Sequence, residues 1–253
     1  MSKIEIERKF IYNPALFASL TKGSGNPPFT KLEIKAERKI HDIYYDAPLA
    51  STSDANAKAG GPTRCILERN GIWIRQRNQL WEAKQRLILP HQKHQKRESQ
   101  NAASTTESSP SVTTAEKEQD YYLRTAFKEL TSPRAIHDLV KTYIPSAPGA
   151  DVYFGLRPIA DFETKRVLAI ADGRFEIALD RTSFGHCVGE VELLVDRGQE
   201  VQAQRDIDEF MEMYRWFFFP DKAESEEELE GMKKEYMLQG KLSAYFEKFP
   251  IKF

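Results

Sequence analysis

The stretch Met1-Ser-Lys-Ile-Glu-Ile-Glu-Arg-Lys-Phe10 alternates between apolar and charged side chains over most of its length. Successive side chains of a β-strand point to opposite faces, so this stretch would have two different faces. The mostly apolar face consists of Ile4, Ile6, Arg8 and Phe10. The charged face consists of Glu5, Glu7 and Lys9. The charged face is either the solvent side of an ordinary sheet or one wall of a metal and phosphate site inside a closed barrel, and one strand does not decide between them.

The composition is that of a folded protein with nearly balanced charge. Hydrophobic residues make up 40% and aromatic residues 11% of the 253 positions, which is enough for a substantial core. The 37 Lys and Arg residues almost cancel the 38 Asp and Glu residues. This balance speaks against a general nucleic-acid-binding protein, whose charge would be strongly basic.

The cysteine content and the hydropathy indicate an intracellular protein. Cys65 and Cys187 have neither the spacing of a metal site nor the number needed for a disulfide framework. No stretch approaches 18 apolar residues, and a charged strand stands where a signal peptide would need an apolar run. We therefore expect a soluble, cytoplasmic and monomeric protein that binds neither membranes nor nucleic acids.

Periodicity and turn signals predict about eight strands, with helices at the connections and at the C-terminus. After the first strand, the predicted strands are Phe29–Ile40, Asp42–Asp46, Ile72–Arg77, Leu80–Leu89, Tyr121–Leu130, Phe162–Ala171, Arg174–Thr182 and Val188–Val195. Helices are predicted at Ala15–Leu20, after Ser132-Pro133, from Glu200 onward and around Lys241. The polar segments 49–63 and 91–120 contain few large apolar residues, so we expect both to be flexible insertions.

Charged residues also alternate along the later strands, and they come in blocks of one sign. Bases occupy Arg75, Arg77, Lys84 and Arg166, and acids occupy Asp180, Glu190 and Glu192. A solvent face would more often mix the two signs. A closed barrel of about eight strands can instead enclose a ligand, with carboxylates for a hard divalent cation and Arg and Lys side chains for a polyanion. The pattern alone leaves both the solvent face and the metal-and-phosphate interior open.

The motif Glu5-x-Glu7-x-Lys9 resembles the ExExK signature of the CYTH, or triphosphate tunnel metalloenzyme, superfamily. Later blocks agree with the superfamily in order: Tyr44-Tyr45-Asp46, Trp73-Ile74-Arg75-Gln76-Arg77, Trp81-Glu82-Ala83-Lys84, Phe127-Lys128-Glu129-Leu130, Thr164-Lys165-Arg166, Leu179-Asp180, Phe184-Gly185, Val188-Gly189-Glu190-Val191-Glu192 and Lys241-Leu242. Within the superfamily the chain is most similar to the thiamine-triphosphatases. The resemblance implies a mainly β fold in one domain over residues 1–253. That fold is a closed eight-stranded antiparallel β-barrel, the triphosphate tunnel, with outer helices and a helical C-terminus.

The resemblance also implies a role for each matching residue. The acids that match the Mg²⁺ ligands are Glu5, Glu7, Asp180, Glu190 and Glu192. The bases that match the triphosphate-binding residues are Lys9, Arg75, Arg77, Lys84, Arg166 and Lys241. Tyr44 and Lys84 match a pair implicated in activating the attacking water, and Trp73 matches the residue that stacks on thiamine.

The activity implied by the resemblance is the Mg²⁺-dependent hydrolysis of thiamine triphosphate to thiamine diphosphate and phosphate. Lys84, surrounded by other cations, would then have a lowered pKa and act with Tyr44 as a general base. Two alternatives stay open: an inorganic tripolyphosphatase of the same superfamily, and a non-catalytic polyphosphate-binding protein. The complete set of acids favours an enzyme, because a polyphosphate sensor needs only the bases.

Overall fold

The computed structural model describes residues 3–12, 18, 20, 22, 25–48, 65–88, 124–219 and 238–250. Within this part of the chain the strands are β1 (Lys3–Phe10), β2 (Leu32–Ile34), β3 (Arg38–Asp46), β4 (Ile72–Arg77), β5 (Leu80–Arg86), β6 (Arg124–Leu130), β7 (Arg157–Ala171), β8 (Phe175–Thr182) and β9 (Cys187–Asp196). The helices are α1 (Ile66–Arg69), α2 (Pro133–Tyr143), α3 (Glu200–Met213), α4 (Arg215–Phe218) and α5 (Lys241–Lys248). A short 3₁₀-helix spans Ala150–Gly155.

Eight of these strands close into an antiparallel barrel, which confirms the predicted fold. Hydrogen-bonded neighbours follow the order β7-β3-β4-β5-β6-β1-β9-β8, and β8 pairs with β7 to complete the ring. The short β2 lies outside the ring and pairs with the end of β7, where Leu32 is opposite Ala171. A closed ring has no free strand edges and encloses one face of every strand. The inward faces of the strands therefore decide what the barrel can bind.

The two faces of β1 separate as its alternation predicts. Ile4, Ile6 and Phe10 are buried in the largest core, which α3 and α4 cover from outside the barrel. Arg8 shares this outer face and is also buried. Its charge is compensated there, because its guanidinium donates to the Asp208 carboxylate of α3 at 2.8 Å. The charged residues between them face the barrel interior. The covering helices thus explain why the apolar face of β1 is on the outside of the barrel.

Two smaller cores hold the remaining helices against the barrel. The 3₁₀-helix, α1 and α2 pack on the outer faces of β4 and β5 through residues such as Ile74, Ile136 and Phe154. The C-terminal helix α5 packs through Leu242 and Phe246 against the residues of β3 and β7. This second contact fixes the first residue of α5, Lys241, at the barrel interior.

The observed strands differ from the predicted ones mainly at their ends. The predicted strand Phe29–Ile40 is divided into the short β2 and the beginning of β3, since the two segments pair with different parts of β7. The strand β7 begins at Arg157, five residues earlier than predicted, because residues 157–166 pair with the whole of β3. Both polar insertions, 49–63 and 91–120, and most of the predicted helix Ala15–Leu20 lie outside the described residues.

None of the helices in the described residues is both long enough and apolar enough to cross a membrane.

Candidate active site

A cavity of about 900 Å³ occupies the barrel interior, and all eight barrel strands contribute side chains to its wall. The predicted site residues line this cavity with one exception. The exception is Asp180, which is completely buried in the wall and contacts the two cavity-lining bases Arg166 and Lys241. The alternating charges therefore face a cavity inside the barrel and do not form the outer surface of the sheet.

Three carboxylates meet where β1 lies beside β9. The strand register places Glu7 opposite Glu192, and Glu5 lies two residues further along β1 on the same face. One oxygen from each of the three side chains lies within 4.8 Å of the others. Carboxylate oxygens are the ligands that Mg²⁺ and Ca²⁺ take in proteins. These three residues, which we call the acidic cluster, therefore fit a hard divalent cation.

Ionisation of two carboxylates in the acidic cluster is opposed by burial and by the other acids. Burial and the neighbouring acids raise the pKa of Glu5, although Lys84 donates to it at 2.6 Å. Burial and the same kind of repulsion raise the pKa of Glu192, whose ion pair with Arg166 is 3.8 Å long. Like charges placed together disfavour ionisation in this way. A divalent cation in the cluster would remove the repulsion.

Asp180 and Glu190, the other two acids predicted to bind metal, are instead surrounded by bases. Arg166 holds Asp180 with two hydrogen bonds of 2.7 and 2.6 Å, and Lys241 donates to the same carboxylate at 2.6 Å. Glu190 accepts from Lys9 at 2.8 Å and from both Arg166 and Lys241 at 3.0 Å. Burial alone would raise the pKa of Glu190, but the bases Lys241, Lys9 and Arg166 hold it well below its ordinary value.

The close packing of β1 against β9 depends on Gly189, the glycine of the Gly-Glu-Val-Glu block. Gly189 is opposite Phe10 in the register, and the Phe10 ring covers it. A Cβ atom at position 189 would lie 2.3 Å from that ring. A larger residue would therefore push apart the two strands that carry the acidic cluster.

Two arginines on β4 are held in fixed orientations by acids on the neighbouring strands. Arg75 donates to Glu82 at 2.9 and 2.8 Å and to the Tyr44 hydroxyl at 3.3 Å. Arg77 binds Asp42 at 2.8 and 2.9 Å. An oriented guanidinium with further N–H groups is suited to phosphate oxygens.

Lys84 has surroundings opposite to those expected from the sequence. Its ammonium lies 2.6 Å from Glu5, 3.5 Å from Glu129 and 3.8 Å from Glu7, all of them carboxylates. Burial favours the neutral amine, yet the attraction of these acids outweighs it and raises the pKa of Lys84 above its ordinary value. The prediction of a lowered pKa was therefore wrong for this structure. The side chains that contact Lys84 from β1 and β6 are acids.

An aromatic patch forms another part of the cavity wall. Trp73 on β4 packs edge to face against Phe127 on β6, with ring centroids 5.7 Å apart. The Arg86 guanidinium lies 5.2 Å from the centroid of the Trp73 ring, and Lys84 lies 5.1 Å from that of Phe127. Aromatic faces of this kind attract cations and flat rings. The patch is suited to an organic group attached to a phosphate chain.

A family model described as the CYTH domain matches residues 3–216. The chain belongs to the CYTH family. Members of this family are metal-dependent hydrolases or cyclases that act on triphosphates. Lys241 lies beyond the matched residues, yet the fold carries it to the same cavity as the matched CYTH residues.

Solved structures with some likeness to this CYTH chain include one from Pyrococcus horikoshii and one from Hippeastrum. The PH1819 protein from Pyrococcus horikoshii is 14% identical, with 91% of this chain and 99% of that chain covered and a TM-score of 0.43. HpAC1 from Hippeastrum, named an adenylyl cyclase and described with a dominant triphosphatase activity, is 13% identical, with 84% and 88% covered and a TM-score of 0.37. Comparison with curated proteins gives no match. The CYTH assignment therefore rests on the family model.

Three acids that pair with the bases of the CYTH cavity were missed as site residues in the sequence: Asp42, Glu82 and Glu129. The alternation places Asp42 with Tyr44 on one face of β3, and Glu82 with Lys84 on one face of β5. Each is paired with a base on the adjacent strand, a contact that depends on register. Glu129 is opposite Lys84 in the strand register. In the sequence, nothing beyond its place in the Phe-Lys-Glu-Leu block indicated that it belongs to the site.

Glu68, in α1, is a half-buried acid whose effect on stability depends on pH. Its Oε2 atom is buried without a hydrogen-bond partner among the described residues. Burial, with a smaller contribution from Asp46, raises the pKa of Glu68 to about 7.

Replacing Glu68 by Gln is expected to stabilise the protein at pH 8 more than at pH 5. A carboxyl whose folded-state pKa is raised loses stability as pH increases from its unfolded value of roughly 4.3 towards 7, because the fold must then hold a buried charge. We expect a gain of about 2 kcal/mol in unfolding free energy at pH 8. Urea unfolding of both proteins at the two pH values measures it, and a gain that is equal at both would contradict the assignment.

Proposed function

We propose that the chain is a hydrolase that cleaves the terminal phosphoanhydride of thiamine triphosphate and releases thiamine diphosphate and phosphate. The observation that carries this proposal is the composition of the cavity wall, in which the acidic cluster lies beside a set of oriented Arg and Lys side chains. Phosphoryl transfer needs both parts, a metal site and a polycationic clamp. A protein that only bound polyphosphate would gain nothing from three mutually repelling carboxylates.

The acidic cluster is the proposed metal site, and we propose Mg²⁺ as the ion. Glu5, Glu7 and Glu192 would hold it. Asp180 and Glu190 are the two other acids that match the metal ligands of the family. When bound, the ion would neutralise and polarise phosphate oxygens. Glu7 keeps its carboxylate ionised for this purpose, because Lys9 and Lys84 lower its pKa against the effect of burial.

The bases of the cavity are the proposed triphosphate clamp. Arg75, Arg77 and Arg166 are already oriented by carboxylates, so that little side-chain freedom is lost when a phosphate binds. Lys9 and Lys241 both form ion pairs with Glu190 and add two further ammonium groups on one side of the cavity. Such preorganised positive charge stabilises the negative charge that develops on the transferred phosphoryl group.

Tyr44 and Lys84 are the proposed catalytic residues. The Tyr44 hydroxyl is held by Arg75 and faces the cavity. Lys84 holds its proton in this structure, so the role we propose for it is to donate hydrogen bonds to the attacking water and to the phosphoryl oxygens. The water oxygen forms the new bond to phosphorus as the bond to the bridging oxygen breaks, and the diphosphate leaves with that electron pair. The proton that the water loses passes to an oxygen of the transferred phosphoryl group.

An inorganic tripolyphosphatase is a second candidate, and one contact favours it. Arg86 already occupies a cation–π position against Trp73 in this structure. Thiamine would have to replace this contact before its own cationic ring could bind the indole. Tripolyphosphate needs no such change.

A phosphate-release assay with thiamine triphosphate, tripolyphosphate and ATP, each with Mg²⁺, tests the proposal. We expect the highest kcat/KM for thiamine triphosphate. A higher value for tripolyphosphate would select the second candidate. Binding of all three compounds without phosphate release would identify a polyphosphate-binding protein and overturn the proposed hydrolase.

Replacing Trp73 by Ala is expected to raise KM for thiamine triphosphate by about 5- to 30-fold, because stacking and cation–π contact with the thiamine ring are worth about 1–2 kcal/mol. The kinetics with tripolyphosphate should barely change, since it has no ring to stack. Steady-state assays with both substrates measure the difference. Parallel loss on both substrates together with a lower Tm would mean that Trp73 only packs against Phe127, and thiamine would no longer be the proposed substrate.

A further inference from the structure

Lys84 and Glu129 face each other across β5 and β6, where the strand register makes them direct partners. Their charged atoms are 3.5 Å apart, a longer contact than the 2.6 Å between Lys84 and Glu5. The Glu129 side chain is 40% exposed, whereas those of Glu5 and Glu7 are almost completely buried. In this structure the ammonium is therefore placed between a buried acid that it contacts closely and a more accessible acid.

The same Glu5 carboxylate is part of the acidic cluster proposed to hold the metal. A divalent cation on that carboxylate would repel an ammonium bound to it. Lys84 would then need another buried or half-buried carboxylate, because an unpaired charge in this wall is costly. Of the three acids that surround Lys84, Glu129 lies outside the acidic cluster.

We propose that Glu129 is a positioning residue that takes over the Lys84 ammonium from Glu5 when the acidic cluster binds its metal. The inference rests on the proposed function and adds a residue to it. Fixed by the register of β5 and β6, Glu129 lets Lys84 remain at the cavity wall while Glu5 turns to the ion. Metal affinity and the position of Lys84 are coupled through this one carboxylate.

Mn²⁺ binding to the substrate-free protein tests the coupling, with free Mn²⁺ measured by its paramagnetic resonance signal. Four proteins are compared: the unmodified chain, Glu129→Gln, Lys84→Met and the double variant. We expect Glu129→Gln to weaken Mn²⁺ binding about 10-fold, because Lys84 then stays on Glu5 and competes with the ion. We expect Lys84→Met to tighten binding, and Glu129→Gln to change it less than about 2-fold in the Lys84→Met background.

An equal loss in both backgrounds would overturn the inference, because Glu129 would then act as a ligand or as a general negative charge. An unmodified chain that does not bind Mn²⁺ would overturn the proposed metal-dependent hydrolase itself, so the two failures are distinguishable. Glu163→Gln is the matched control. Glu163 is an exposed acid on the outer face of β7, paired with Lys39, and its replacement should leave the Mn²⁺ affinity unchanged.

Glu129→Asp provides a second test that does not depend on the folding of Lys84→Met. The Asp side chain keeps the negative charge but is one methylene shorter, so it loses contact with the ammonium. If Glu129 positions Lys84, Glu129→Asp should weaken Mn²⁺ binding nearly as much as Glu129→Gln. Retention of the original affinity by Glu129→Asp would show that the charge alone matters and would overturn the inference.

Discussion

Replacing Glu192 by Gln is expected to reduce Mg²⁺-dependent turnover by about 10²–10³-fold, which corresponds to about 3–4 kcal/mol of lost transition-state stabilisation. Gln keeps the shape of the side chain and removes the charge that the acidic cluster needs for the metal. The stability of the folded protein should not decrease. Because burial and the neighbouring acids raise the pKa of Glu192, a neutral side chain at this position relieves repulsion. We therefore expect kcat/KM to fall while Tm stays equal or rises.

Phosphate release and thermal unfolding of Glu192→Gln, measured together, separate a lost metal ligand from a damaged fold. Glu163→Gln makes the same chemical change on the outer face of the barrel and should retain full activity. Tripolyphosphate affinity without metal should be maintained in Glu192→Gln, since the bases are untouched. More than half of the original turnover at saturating Mg²⁺ would remove Glu192 from the metal site.

Replacing Arg166 by Met is expected to lower the unfolding free energy by about 3–5 kcal/mol at pH 7. Asp180 is completely buried and receives two of its hydrogen bonds from Arg166, while Glu190 receives a third from the same guanidinium. Without Arg166 these carboxylates keep Lys241 as a partner, but they lose part of the positive charge that compensates for their burial. Hydrolysis should also fall strongly, because one arginine of the proposed clamp is missing.

The destabilisation by Arg166→Met should become smaller as pH falls. Burial alone would raise the pKa of Asp180, but Lys241 and Arg166 hold it below its ordinary value. A group with a lowered folded-state pKa contributes stability above its unfolded pKa, which is about 3.9 for Asp, and loses that contribution as pH falls through the folded value. Urea unfolding at pH 7 and at pH 4 measures the change.

Two variants complete the Arg166 experiment. Lys165→Met changes the next residue of the same strand, whose side chain is exposed on the outer face, and should cost less than about 0.5 kcal/mol. Adding Asp180→Asn to Arg166→Met should recover part of the lost stability, because the buried charge that lacks compensation is then removed. If the double variant is less stable than Arg166→Met, the ion pair is not the cause of the loss.

Alternation within each strand was sufficient to predict which side chains share its charged face. On β1, Glu5 and Glu7 alternate with Ile4 and Ile6, and the pleat of a strand then assigns the two sets to opposite faces. Same-sign blocks on β4 and β9 favoured a ligand-binding interior without excluding a solvent face. The closed barrel, and the assignment of the charged faces to its interior, were predicted from the resemblance to the CYTH superfamily, because alternation alone does not decide between a solvent face and a barrel interior.

The contacts between strands could not be obtained in this way. Lys84 follows a pattern of bases in the sequence, yet its neighbours in space are Glu5, Glu7 and Glu129, and its pKa is raised where a lowered one was predicted. The difference arises because β5 lies next to β6, and β6 next to β1. Strand order and register determine the sign of the charge opposite each side chain. The alternation within a strand predicts neither of them.

The sequence by itself determined which charged side chains share a strand face, and its resemblance to the CYTH superfamily predicted that five acids and six bases form one site. Only the tertiary structure divided the acids into two groups, with Glu5, Glu7 and Glu192 close together and Asp180 and Glu190 held by bases. The physical reason is that Arg166 lies opposite Asp180 in the pairing of β7 with β8, and that α5 returns to the barrel with Lys241. Distances between charges on separate strands decide which carboxylates are surrounded by bases and which lie close enough together to share one cation.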